Sequence, residues 1–309
     1  MDKAFGRKMN CIICAIAKLE NQYLLEWVNY HLALGFSCIH IYDNNDVDGE
    51  RVADVFHNAE YDSKVIVHDV RGLKYIQKKI YQYCYEKEDF DWCAFIDIDE
   101  FITFVPKLGR ESIIDFLADK ETWEAIHLNW MCYGDADKVS NDGRPVLERF
   151  DSPQKPVGFY YSYVNRSENS HVKSVVKKGL KIDWCADDVY DSNPHTPAGL
   201  SRVCNALGEP IPNSPFSDIV HEVAFIRHYM TKTIEEFAVK VTRQCADCNA
   251  VLYFFPKFFR VNRLAISKLR WMKKNYPETK VRDCFIERWK YLIIDYKLPF
   301  RFLFRSLLK

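Results

Sequence analysis

The feature that most constrains this chain is an alternation running through its first hundred residues. Short unbroken apolar runs take turns with longer segments whose apolar residues recur at helical spacing. Asn10 to Ala17 (NCIICAIA), Cys38 to Tyr42 (CIHIY), Lys64 to Val70 (KVIVHDV) and Asp91 to Ile98 (DWCAFIDI) read as strands. Between them, Asn21 to Leu34, Val52 to Asn58 and Lys74 to Glu86 read as helices, the first stopped by Gly35. The order β-α-β-α-β-α-β predicts a parallel sheet covered by helices, because parallel neighbours need a crossover between them. The strands are apolar throughout rather than alternating, which predicts burial on both faces.

From about 130 to 220 the sequence changes to Asp, Asn, Ser, Pro and Gly with short strand-like runs at Gly158 to Val164 and Val172 to Val176. Loops and mixed strands are expected there, forming an acceptor surface. Thr233 to Arg243 then reads as a helix, capped by Thr231 or Thr233, with Glu235 and Glu236 in its first turn. Hydrophobic residues at 48% and charged residues at 28% exclude a mainly disordered chain. The 43 basic and 43 acidic side chains cancel, which argues against a nucleic-acid binder. That balance conceals a basic tail: Val251 to Lys309 holds 15 Lys/Arg and 4 Asp/Glu. No secretory leader pattern and no apolar run of about 18 residues is visible, so reduced thiols in a cytoplasmic compartment are expected for the 11 cysteines. Cys11/Cys14 and Cys245/Cys248 are C-x-x-C pairs, but the first lies in an apolar run and the second is over 200 residues away. Both are expected to be structural thiols rather than a metal site.

The chemistry-bearing segment is Trp92-Cys93-Ala94-Phe95-Ile96-Asp97-Ile98-Asp99-Glu100-Phe101. In open parallel sheets ligands bind beyond the carboxyl ends of the strands, where these carboxylates fall. In an extended chain Asp97 and Asp99 would share a face and repel unless a cation joined them. A hard divalent ion, Mg²⁺ or Mn²⁺, held by carboxylates and substrate phosphates is the expected partner. A second reading makes Asp97 the covalent nucleophile of a Mg²⁺-dependent phosphohydrolase, as in haloacid-dehalogenase-like phosphatases. Phe101 stands where that pattern has Thr or Val, and the motif follows the fourth predicted strand rather than the first.

Several segments together resemble the family-2-like and family-92-like glycosyltransferases. Ala17-Lys18-Leu19-Glu20-Asn21 with Leu25-Glu26-Trp27, His31 and Gly35 looks like their K-N-E…L-x-E-W-x-x-Y-H-x-x-L-G pattern, with Leu19 where the family often has Asn. Ile41-Tyr42-Asp43-Asn44 resembles their Y-D-N strand end, and Trp92 to Phe101 their W-x-x-F-I-D-x-D-E-F strand. His228-Tyr229-Met230-Thr231-Lys232-Thr233-Ile234-Glu235-Glu236-Phe237 is similar to their H-Y-x-T-K-S-x-E-E-F motif. The likeness covers roughly residues 10 to 243. It implies a GT-A fold, Rossmann-like with a mostly parallel central sheet flanked by helices and a C-terminal helical extension. The catalytic domain would be residues 1–243, with a nucleotide-sugar half at about 10–130 and an acceptor half at 131–243, followed by a helical tail at 244–309.

The resemblance also implies roles. Ala17, Glu20 and Asp43 would contact the nucleoside, Gln77 would face the donor sugar, and Asp97 would lie near the ribose or metal. Asp99 would ligate the metal, with His195 or His228 completing the site. An inverting transfer needs a general base near the acceptor hydroxyl. Asp188 is preferred, with Asp191, Asp187, Glu148 and Glu222 as further candidates. Lys173 and Lys177, four apart on one strand, are expected on a solvated face, with phosphate neutralisation as their other role.

In the tail, Tyr253 to Arg260 and Pro299 to Lys309 interleave aromatics and leucines with Lys/Arg, the composition of an interfacial helix on anionic lipid. The expected function is metal-dependent hexosyl transfer from a nucleotide-sugar donor, a UDP-hexose, to a glycan or lipid-linked acceptor of capsule or lipopolysaccharide type. The expected location is cytoplasmic, on the inner face of the plasma membrane. The other readings are the phosphohydrolase and a non-catalytic membrane- or glycan-binding protein.

Overall fold

The computed structural model describes residues 9–106, 111–153, 160–161, 164–165, 168–186, 194–242, 258, 262 and 265–277. Where the sequence reading divides the chain at 243/244, the chain packs as two compact units of two segments each. One comprises Met1–Met131 and Ser170–His228, the other Cys132–Asn169 and Tyr229–Lys309.

The first unit is built on the expected sheet. β1 (Cys11–Ala17), β2 (Cys38–Asp43), β3 (Val65–Asp69) and β4 (Trp92–Phe95) lie in the order β3-β2-β1-β4, all parallel. Cys11 to Ala15, Ala17 and all four residues of β4 are buried, as the unbroken apolar runs require. The crossover helices are α1 (Asn21–Ala33) and α2 (Gln77–Lys87). The helix expected at Val52 to Asn58 is instead a single 3₁₀ turn, Val52–Val55, followed by another at Ala59–Tyr61. Seven residues are too few to offset helix nucleation without strong packing.

Beyond β4 the sheet continues with a reversed strand. β5 (Glu100–Phe104) leaves the plane, and β6 (Ala125–Cys132) returns to it. β9 (Val172–Lys177) enters between β4 and β6, antiparallel to both. It is numbered after a short hairpin of the second unit, β7 (Tyr160–Tyr161) with β8 (Val164–Asn165). β10 (Val203–Cys204) and β11 (Pro210–Ile211) complete that edge, and β12 (Ala224–His228) pairs with β5 and β6. The result is the mostly parallel, helix-flanked α/β arrangement of a GT-A fold, with mixed strands in the middle of the chain as expected. No helix among the described residues is long and apolar enough to cross a membrane.

The Trp-x-x-Tyr-His signature of α1 has a physical explanation. Trp27 Nε1 donates to the Glu100 carbonyl at 2.7 Å, and Tyr30 Oη donates to the Ile102 carbonyl at 2.8 Å. His31 Nε2 accepts the Ile102 N–H at 3.2 Å, while its Nδ1 donates to the Trp27 carbonyl. Three side chains thus satisfy backbone groups of β5 that would otherwise be buried without partners. They hold β5 directly after the carboxylate segment.

The first unit also holds α3 (Ile113–Leu117), and the second unit holds α4 (Val146–Arg149), α5 (Ile234–Thr242) and α6 (Ile266–Asn275). Thr233 caps α5: Glu236 N–H donates to Thr233 Oγ1 at 3.2 Å, and Thr233 N–H donates back to Glu236 Oε2 at 3.1 Å. The same Glu236 makes a two-pronged pair with buried Arg149, both contacts 2.8 Å. Leu269 and Met272 of α6 pack with Ile234, Phe237, Val241 and Phe258. This part of the tail spends its apolar face inside the unit rather than leaving it for lipid. Phe258 aside, the stretches Tyr253 to Arg260 and Pro299 to Lys309 lie outside the described residues.

Candidate active site

The C-terminal ends of β2, β1 and β4 carry Asp43, Ala17 and the Asp97 segment, and β1 lies between the other two. Ala17 is buried, and its carbonyl accepts the Asn44 N–H at 2.9 Å. Asp43 is also buried, and its carboxylate organises the loop that follows. Oδ1 accepts the backbone and side-chain N–H groups of Asn45, and Oδ2 accepts the Val52 N–H at 2.9 Å. Asn45 in turn accepts the Leu19 N–H at 2.7 Å, tying this loop to the one after β1. Glu20, buried, stands at the N-cap of α1. The residues expected to hold the nucleoside therefore form one connected rim, and Asp43 positions it.

The Asp97–Glu100 segment corrects the extended geometry expected for it. The chain turns there, with the Glu100 N–H donating to the Asp97 carbonyl at 3.1 Å. Asp97 and Asp99 consequently do not share a strand face. Each meets a different group.

Asp97 is held on both oxygens. Oδ2 lies 2.7 Å from the Lys173 ammonium. Oδ1 accepts from Gln77 Nε2 at 3.0 Å and from Tyr81 Oη at 3.4 Å. Gln77, expected to face the donor sugar, is the first residue of α2 and meets the carboxylate segment at Asp97. Lys173, expected on a solvated face, is 1% exposed. The reason is topological. β9 runs antiparallel to β4 with Lys177 opposite Trp92, so residues early in β9 lie beside those that follow β4. Burial opposes the Lys173 charge, but Asp97 and Glu100 outweigh it and hold the ammonium above its ordinary range. Lys177, at the far end, donates to the Glu121 carbonyl at 2.6 Å.

Glu100 is fully buried. Its Oε2 accepts the Asp97 N–H at 3.0 Å and lies 3.7 Å from Lys173. Burial, with Asp97 and Asp99 adding to it and Lys173 opposing, pushes its carboxyl up to about 8. Asp99, also buried, has Oδ1 3.7 Å from His228 Nε2. His228 ends β12, opposite Glu100 in the antiparallel ladder, which fixes its approach to the turn. Trp130 of β6 connects it to two more imidazoles. Its ring centroid is 4.1 Å from His228, 5.1 Å from His195 and 4.6 Å from His171. His195 Nδ1 donates to the Val172 carbonyl at 2.7 Å, leaving Nε2 as the nitrogen with a lone pair. Burial and then Lys173 keep this imidazole well below its usual range, and so neutral.

Asp99 and His228 supply a carboxylate and an imidazole, groups that can ligate divalent ions, but among the described residues no third His, Cys, Asp or Glu ligand atom stands within 4.8 Å of both. Asp187, Asp188 and Asp191 lie outside the described residues. Glu222 is exposed, its Oε2 accepting the His221 N–H at 2.9 Å, and Glu148 is an exposed residue of the second unit.

Sequence reasoning missed Glu100, Tyr81, Trp130 and His171 as members of this cluster. One signal was available: a lysine inside the apolar run Val172 to Val176 marks a charge that must be buried with a partner.

The family model described as Glycosyltransferase family 92 matches residues 11–178, just over half the chain. A glycosyltransferase family 92 protein of Oryza sativa subsp. japonica is 29% identical over 193 residues, covering 57% of this chain and 32% of its own length. One of Arabidopsis thaliana is 23% identical over 252 residues, covering 79% and 39%. The chain thus spans about a third of the length of these curated relatives. Among solved structures, S. aureus TarS 1-349 aligns at TM-score 0.38 and 10% identity over 94% of this chain and 73% of its own. Its complex with UDP-GlcNAc aligns at TM-score 0.39 and 11% identity over 93% and 82%.

Proposed function

The chain belongs to glycosyltransferase family 92, and from that membership we propose that it transfers a hexose from a UDP-sugar to a glycan or lipid-linked acceptor. The observation that carries the proposal is the convergence of Asp97, Asp99, Glu100, Lys173 and His228 at the carboxyl end of β4, within and beside the family-matched residues. Ligands of open α/β sheets bind at this end.

The residues divide the work. The loops after β1 and β2, tied together through Asn45 and Asp43, cradle the nucleoside. Gln77, Tyr81 and Lys173 fix the Asp97 carboxylate toward the ribose side. Asp99 and His228, with His195, hold a divalent cation, Mn²⁺ or Mg²⁺, which neutralises the departing diphosphate when bound. Trp130 presents an aromatic wall beside those imidazoles. An acceptor hydroxyl loses its proton to a carboxylate among residues 187–191, in an inverting transfer. Association of the basic tail with the cytoplasmic face of an anionic membrane belongs to the same proposal and is tested by vesicle co-sedimentation.

The deciding experiment is thermal unfolding with UDP, GDP, CMP and their sugar conjugates, each with and without Mn²⁺. A ligand at 100 times its Kd stabilises by about 2.7 kcal/mol. The expected result is a Mn²⁺-dependent rise in Tm with UDP and its hexose conjugates that Asp99→Asn removes. No rise with any nucleotide, or a rise indifferent to Asp99→Asn, overturns the reading.

A further inference from the structure

We propose that His40, His68 and Glu88 form a Zn²⁺ site of three protein ligands, separate from the carboxylate turn, that clamps two strands to the end of a helix. His40 lies in β2, His68 in the neighbouring β3, and Glu88 directly follows α2. His40 and Tyr42 are two apart and share a face of β2. The parallel register places His68 beside Tyr42, whose ring stacks on it at 4.3 Å and 9°. That stacking orients the His68 imidazole toward His40.

The chemistry of the cluster points to a cation. His40 Nδ1 is 3.0 Å from His68 Nε2 and 3.6 Å from Glu88 Oε2, and all three atoms lie within 4.8 Å of one another. Each can act as a lone-pair donor. A single proton placed on His40 Nδ1 can point at only one of the other two. A divalent ion satisfies all three together. Ligands at about 2.0–2.1 Å around tetrahedral zinc sit roughly 3.3 Å apart, and the two measured separations bracket that value. Two imidazoles and a carboxylate are a recognised zinc donor set, with one position left for water. His40 is buried, and the apolar surroundings include Tyr42, Ile80 and Cys84, so the site is shielded on the sheet side. Glu88 follows the C-terminus of α2, whereas Gln77, at its N-terminus, meets Asp97. The two groups of residues therefore sit at opposite ends of one helix.

The test uses the full chain, stripped with chelator, reloaded with Zn²⁺ alone, desalted and assayed for bound metal. Asp99→Asn, which disables the turn's own cation site, is expected to retain about one equivalent and to gain thermal stability from it, and wild type is expected to hold at least as much. His68→Ala and Glu88→Ala are expected to lose it while keeping wild-type circular dichroism. His68 and Glu88 are only half-buried, so at least the Glu88 variant should fold. Co²⁺ substitution should give a visible ligand-field band without thiolate charge transfer. The proposal is overturned by absence of bound zinc in wild type or by retention in both variants. Loss in Asp99→Asn, which would assign the ion to the turn, also overturns it, as does a thiolate band, which would assign it to the neighbouring cysteines.

Discussion

The Lys173 ammonium lies 2.7 Å from Asp97 Oδ2, across 76 residues of sequence. A buried cation thereby stands between two carboxylates, Asp97 at 2.7 Å and Glu100 at 3.7 Å, one at each end of the turn. The pair explains why a lysine is stable inside an otherwise apolar strand. It also assigns Asp97 a partner other than metal.

A double-mutant cycle measures that pair. Lys173→Met leaves the half-exposed Asp97 carboxylate without its cation and should destabilise by up to about 3 kcal/mol, the low end for a buried pair because solvent reaches Asp97. Adding Asp97→Asn should recover at least about 1 kcal/mol of it. Strict additivity in urea unfolding would show that the two charges are not coupled.

Glu100 sets a pH dependence whose sign can be worked out. Its carboxyl is near 4.5 when exposed and about 8 in the fold. Between those values the folded chain keeps a proton that the unfolded chain has released. The stabilisation is complete below about 4.5 and is lost as pH rises through about 8. His31 and His127, both held near 3 by burial, act in the opposite direction, and their contribution is lost as pH falls below 6.5. Of these groups only Glu100 changes between pH 6.5 and 8.5. Relative to Glu100→Gln, wild type should lose stability across that window, by up to about 1.4 kcal/mol per pH unit. An unchanged slope in the variant would refute the assignment.

The second unit depends on Glu236. Glu236→Ala removes both prongs of the Arg149 pair and the reciprocal half of the Thr233 cap. Leaving Arg149 buried and unpaired should cost about 3–5 kcal/mol. Differential scanning calorimetry should show the loss, and a shift within 1°C of wild type would contradict it.

Leu19 has φ +52°, a left-handed conformation that costs an L-residue with an aliphatic side chain about 1–2 kcal/mol. Asn tolerates it far better. Leu19→Asn, which restores the residue common in the resembling family, should raise stability by about 1 kcal/mol. The check is the urea midpoint at constant m; a lower midpoint would mean that Leu19 packing outweighs its backbone strain.

The H-Y-x-T-K-T-x-E-E-F segment shows how function and architecture mix in one motif. His228 approaches Asp99. Tyr229 packs on Tyr133 and Phe150, Thr231 accepts from Asn262, and Thr233 with Glu236 caps α5. Most of its letters maintain the fold, and one reaches the site.

Local information was enough for the strand and helix order, the parallel core and the position of the carboxylates at a strand end. Apolar runs and helical periodicity are properties of neighbouring residues, and burial on both faces writes itself into consecutive positions. A threonine cap for α5 was legible to within two residues, Thr231 or Thr233, and the structure selects Thr233, whose reciprocal partner is three residues away. What only the tertiary structure decided was pairing at a distance. Whether Lys173 faced water or Asp97 depended on β9 inserting antiparallel beside β4. Whether Asp97 and Asp99 shared a partner depended on a turn stabilised by β5, which is itself held by α1 side chains and by β12. His40 and His68 converge only because β2 and β3 adopt one register. Charges and imidazoles carry little local preference, so their partners are chosen by the packing of elements far apart in the chain.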